Sequence, residues 1–189
     1  LTYENGEKAL NVSAGTIFSA LMDGFMSMLK LKKVDSVLDG VFLAAKEIFD
    51  PISCDKEGNS KYSNVSMKQY PESMATYPEF VATLPDGAEE GIVKTAIERY
   101  GAENTYFFTY DWRKTPQQLA SELSSFVETA KADSGKDKVN IICASMGGMV
   151  TTAYFYYYGS ENVESAVFLS GAQNGTYVCG DALNGRISF

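Results

Sequence analysis

From Thr105 onward, short apolar runs alternate with longer amphipathic stretches, and this alternation constrains the fold more than any other feature of the chain. Thr105–Tyr110 (TYFFTY) reads as a buried strand rich in aromatics. Thr115 followed by Pro116 reads as an N-cap and a proline at the first helical position, opening a helix to about Ala132. Leu119, Leu123, Phe126, Val127 and Ala130 form its apolar stripe. Lys138–Cys143 (KVNIIC) is a second strand, Met146–Tyr158 a helix closed by Gly159, and Val163–Leu169 (VESAVFL) a third strand. Strands alternating with helices of this length imply a mostly parallel sheet flanked by helices on both faces.

The earlier half of the chain has a different character. Leu1–Val12 is polar and reads as loop, whereas Ala14–Phe49 reads as two helices broken near Lys32–Asp35 and stopped by Asp50-Pro51. Phe18, Met22 and Met26 widen the apolar face of the first helix. That face either packs on the main domain or meets a membrane surface, with Lys30, Lys32 and Lys33 at its rim. Ser53–Met74 reads as a long irregular insertion, and a helix from Ala88 carries Ile92, Val93, Ala96, Ile97 and Tyr100 on one face before Gly101 stops it. The expected organisation is an N-terminal loop and cap-like or lid-like helical region over residues 1–87, followed by an α/β core over residues 88–189.

The chemistry concentrates in Ile141-Ile142-Cys143-Ala144-Ser145-Met146-Gly147-Gly148, placed between a strand and a helix. This is the context of a nucleophile elbow, where a sharp, strained turn projects a serine hydroxyl above the sheet. Residues two before and two after the serine must be small because they are forced against one another; here they are Cys143 and Gly147. The motif is therefore C-x-S-x-G, with cysteine where the first glycine usually stands. The backbone N–H of Met146 is positioned to donate to an oxyanion, aided by the N-terminal end of the following helix. Gly148 continues the small-residue run. A nucleotide-binding turn is the competing reading of such a segment, but neither G-x-G-x-x-G nor a P-loop lysine is present.

Together with Tyr110-Asp111-Trp112-Arg113 closing the preceding strand, Ala144-Ser145-Met146-Gly147-Gly148 resembles the lecithin:cholesterol acyltransferase-like lipases of the α/β-hydrolase superfamily. The resemblance covers about residues 88–176, and Leu169–Thr176 looks like the loop after the next strand of that family. Ala144 replaces a histidine often found before the serine, a neighbour that is not the catalytic base. The resemblance implies a serine esterase, lipase or acyltransferase acting on a lipid ester through an acyl-Ser145 intermediate, without cofactor or metal. It places the triad acid and base on loops after later strands, and the second oxyanion donor before Leu1. The fold is thus expected to be α/β-hydrolase-like but incomplete at both ends, its partner the missing remainder of its own chain. Tyr110 and Trp112 are candidates to line the substrate pocket. Asp111 and Arg113 read instead as an ion pair fixing their loop.

Composition sharpens this reading. There is no histidine in 189 residues, which removes the usual general base at neutral pH and the usual ligands of a catalytic zinc. A serine without a base is a poor nucleophile, so this chain alone is expected to be nearly inactive. The alternative is a non-catalytic α/β-hydrolase-like binding or scaffolding module. A net charge of -8 argues against nucleic acid as a partner. Cys54, Cys143 and Cys179 do not make a disulfide framework; a Cys54–Cys179 bridge is conceivable, but free thiols are expected. Asn11, Asn64 and Asn174 begin N-x-[ST] triplets. An extracellular or cell-envelope setting would be ordinary for such a lipase, though nothing in the sequence fixes the compartment.

Overall fold

The computed structural model describes residues 1–9, 46, 49–56, 58–84, 88–175, 177, 180, 181 and 184. The chain divides into two compact units, Leu1–Lys68 and Gln69–Phe189. The helices expected over Ala14–Phe49 lie outside the described residues apart from Lys46 and Phe49. No helix among the described residues is long and apolar enough to cross a membrane.

In the first unit, strand β1 (Thr2–Tyr3) pairs antiparallel with β2 (Val65–Ser66), matching Tyr3 with Val65. The first residues are therefore not all loop, and the polar stretch after Ser53 contains a strand. Ala9, Ile52 and Val65 form a small core with Leu1, Tyr3 and Tyr62 packed against it. Asp50 accepts hydrogen bonds from Lys61, at 2.7 Å, and from the Tyr62 hydroxyl. These bonds hold the Asp50 carboxyl below its ordinary range.

The second unit is built from consecutive elements. Helix α1 (Pro78–Thr83) and helix α2 (Ala88–Tyr100) enclose a satellite core of Tyr70, Met74, Leu84 and Val93. Tyr70 stacks on Phe80 there at 4.2 Å between ring centres. Helix α3 (Pro116–Ser134) begins with a capping box: Thr115 Oγ1 accepts from the Gln118 N–H, and Gln118 Oε1 accepts from the Thr115 N–H. It ends on Gly135, whose φ of 67° is the left-handed conformation glycine adopts without penalty. Strand β3 (Val139–Ala144), helix α4 (Met146–Tyr158) and strand β4 (Val163–Leu169) follow.

The main core is where α3 meets α4. Leu119, Ala120, Leu123 and Val127 pack against Val150, Tyr154 and Val163. Each large aliphatic side chain so buried contributes about 1.5–3 kcal/mol. β3 and β4 pair in parallel, with Ile141 opposite Ala166, Cys143 opposite Phe168 and Ala144 opposite Leu169. Because side chains alternate across a strand, Val139, Ile141 and Ala166 reach the helical core. The opposite face leaves Ile142, Val167 and Leu169 exposed at 46%, 48% and 39%. On that side a cleft of about 420 Å³ separates Ile142 from Ile92, Ala96, Arg99 and Tyr100 of α2.

One expected strand is absent. Thr105–Tyr110 forms no ladder among the described residues; Tyr106 makes a single bridge to Ser73, and the Met74 N–H donates to the Thr105 carbonyl at 2.8 Å. The run is apolar because Phe107 joins the satellite core while Phe108 and Tyr110 join the main one. Burial explains its composition without sheet pairing.

Candidate active site

β3 carries the chain to Ser145, and there the backbone turns sharply: φ is 49° and ψ is -120°. A residue with a Cβ held in such a sparsely populated region costs about 1–3 kcal/mol. Hydrogen bonds fix it in place. The Ser145 N–H donates to the Leu169 carbonyl at 3.0 Å, while the Ser145 carbonyl accepts from Gly148 at 3.0 Å and from Ala172 at 2.9 Å. Ser145 is exposed, and Cys143 and Gly148 beside it are buried.

The small residues of the motif have distinct reasons. A Cβ built on Gly147 would lie 3.5 Å from the Cys143 Cβ and 3.8 Å from the Tyr110 hydroxyl, which is ordinary contact. Cysteine therefore fits the position where glycine is usual. A Cβ on Gly148 would lie 2.9 Å from the Cα of Gly171, and 3.3 Å from both Phe168 and Gln173. The tightest approach is thus between the first turn of α4 and the loop that follows β4.

Met146 and Gly147 open α4, where backbone N–H groups have no intrahelical acceptor and the helix dipole favours negative charge. The first turn of α4 contains no acidic residue. The buried Cys143 thiol donates to the Val167 carbonyl at 3.4 Å, and burial pushes its pKa up, so it brings no charge to the site.

Asp111 and Arg113 are engaged with each other. Arg113 Nε donates to Asp111 Oδ1 at 2.8 Å and Nη2 to Oδ2 at 2.5 Å, a bidentate fork with side chains 4% and 13% exposed. Burial opposes ionisation of Asp111, but the bonds from Arg113 outweigh it and hold the carboxyl below its usual range. The fork braces the loop between Tyr110, whose hydroxyl lies against the elbow, and Trp112, which is 51% exposed.

Cys143, Ser145, Met146, Gly147, Gly148 and Tyr110 thus come together at the carboxyl end of β3, while Trp112 on the neighbouring loop is half exposed. Sequence reasoning missed the roles of Leu169 and Ala172, whose backbone holds Ser145, and of Gly171, which lies against Gly148. Cys54 and Cys143 are free thiols. Among the described residues no cluster of acidic or cysteine side chains could hold a metal ion.

No curated protein and no solved structure matches the chain. Residues 92–177 match the family model of lecithin:cholesterol acyltransferase, so the segment that carries Ser145 is similar to that family.

Proposed function

We propose that Ser145 is the nucleophile of a lipid esterase, lipase or acyltransferase. The observation that carries this reading is the strained φ of 49° at an exposed serine between a parallel strand and a helix. Strain of this kind persists where the surrounding structure enforces it, and it clusters at reacting residues. Ser145 Oγ attacks the ester carbonyl carbon, and the Met146 N–H donates to the oxygen that gains negative charge. The tetrahedral intermediate collapses, the alcohol leaves with the proton taken from Ser145, and the acyl group rests on Oγ. Water or a second alcohol then accepts it. Tyr110 and Trp112 line the substrate pocket in this reading.

The proton must pass through a general base, and the chain contains no histidine. In this reading the base and its acid partner come from residues outside these 189, which form the nucleophile half, with residues 88–189 as a partial α/β-hydrolase core and residues 1–87 as a loop and cap-like or lid-like region. This chain alone would then be nearly inactive.

A fluorophosphonate probe applied to the protein with its histidine-bearing remainder tests the reading. It should label Ser145 and fail on Ser145→Ala. Labelling at another residue would overturn the assignment, and no labelling at all would favour a non-catalytic binding module.

A further inference from the structure

We propose that Leu169–Ala172, the turn after β4, is a clasp that positions Ser145, with Ser170 as its corner. The clasp rests on the reading of Ser145 as nucleophile only for its purpose; its geometry stands by itself. Among the described residues Ser145 and Ser170 are the non-glycine residues with positive φ, at 49° and 47°. They occupy equivalent places, each following the carboxyl end of one of two paired parallel strands, where Ala144 lies opposite Leu169.

A residue has one backbone N–H and one C=O. Ser145 commits both to residues that flank Ser170 and Gly171: its N–H donates to Leu169 at 3.0 Å, and its C=O accepts from Ala172 at 2.9 Å. An extended chain would carry Leu169 and Ala172 past Ser145 in one direction. The left-handed corner at Ser170 folds them back so that both face the same residue. Gly148 and Gly171 make the approach sterically possible, since a Cβ on Gly148 would come within 2.9 Å of the Gly171 backbone. Rotating Ser145 out of its strained conformation therefore requires breaking both bonds. Ser170 touches no reacting atom in this scheme and acts through Ser145, as a positioning residue whose backbone matters and whose hydroxyl does not.

Ser170→Val and Ser170→Gly separate these possibilities, because positive φ is an outlier for a β-branched residue and free for glycine. The first readout is amide hydrogen exchange at Ser145 and Ala172, with the buried Leu123 and Tyr154 amides as internal reference. The second is the fluorophosphonate labelling rate at Ser145 in the protein with its histidine-bearing remainder. Ser170→Val should accelerate exchange at Ser145 and Ala172 by about tenfold, the scale of one or two lost backbone hydrogen bonds. Labelling should slow in proportion, with Leu123 and Tyr154 unmoved; Ser170→Gly should restore both readouts. Full protection in the valine variant would overturn the proposal, as would failure of glycine to restore it. If valine unfolds the unit, Ala172→Pro removes the N–H donor to the Ser145 carbonyl, and unchanged protection of Ser145 in that variant overturns the clasp. Altered exchange with no labelling of the unmodified protein leaves the clasp standing and sinks the nucleophile.

Discussion

Adding one methyl group at Gly148 tests how tightly the elbow is built. In Gly148→Ala the new Cβ meets the Gly171 Cα at 2.9 Å, with the Phe168 ring and the Gln173 side-chain oxygen each at 3.3 Å. Gln173 can swing away, but Gly171 is backbone within a loop tied to Ser145 through the Leu169 carbonyl and the Ala172 N–H. Forcing a methyl group into such a site costs about 1–3 kcal/mol. Alanine in place of glycine in a helix returns about 0.5–1 kcal/mol, and less in the first turn. The net expectation is a loss of about 1–2 kcal/mol. Gly147→Ala makes the same helix-propensity gain while meeting its nearest atoms at 3.5 and 3.8 Å, so it should lose nothing comparable. Urea unfolding of both variants, followed by far-ultraviolet circular dichroism, gives the difference. Equal midpoints for the two, or a Gly148→Ala protein more stable than the parent, would refute the claim that Gly171 bears on the elbow.

Thr115→Ala removes the capping box of α3 and should cost about 1 kcal/mol, seen as a lower thermal midpoint; a parental midpoint in Thr115→Ser would show that the hydroxyl is responsible. Arg113→Ala strands the largely buried Asp111 carboxylate and should cost about 3 kcal/mol in denaturant unfolding. The fork also sets an acid dependence. Asp111 has a folded pKa below its unfolded value, so its contribution is full above the ordinary carboxylate range and is lost as pH falls through the lowered value. The Arg113→Ala protein should therefore lose less stability on acidification than the parent, and identical acid profiles would contradict the pairing.

The scaffold of the elbow was largely legible in the sequence. The helix read from Thr115-Pro116 runs from Pro116 to Ser134, and the Met146–Tyr158 helix and Val163–Leu169 strand fall where periodicity, glycine stops and β-branched runs place them. These signals are local, because a cap or an apolar stripe acts within a few residues. Thr105–Tyr110 shows the limit of such reasoning. An aromatic run reports burial, and two separate cores consume that burial without a strand ladder along the run. Pro78–Thr83 carries no legible signal in the sequence because six residues are too few for helical periodicity to emerge. At the site, Cys143 and Gly147 announced themselves by their spacing from Ser145. The approach of Gly171 to Gly148 did not, because that pairing depends on how β4 registers against β3.

The succession α3, β3, α4, β4 has a kinetic consequence. Its core runs from Leu119 to Val163, and each element packs against one close to it in the chain. The parallel pairing of β3 with β4 must first close the loop through α4, and pairings of this kind form slowly compared with local helical contacts. The left-handed turn at Ser145 is thus expected to be fixed late, when Leu169 and Ala172 come to its N–H and C=O. A nascent protein of this design would hold Ser145 in its final geometry only once the chain through Ala172 has been made and β4 has docked.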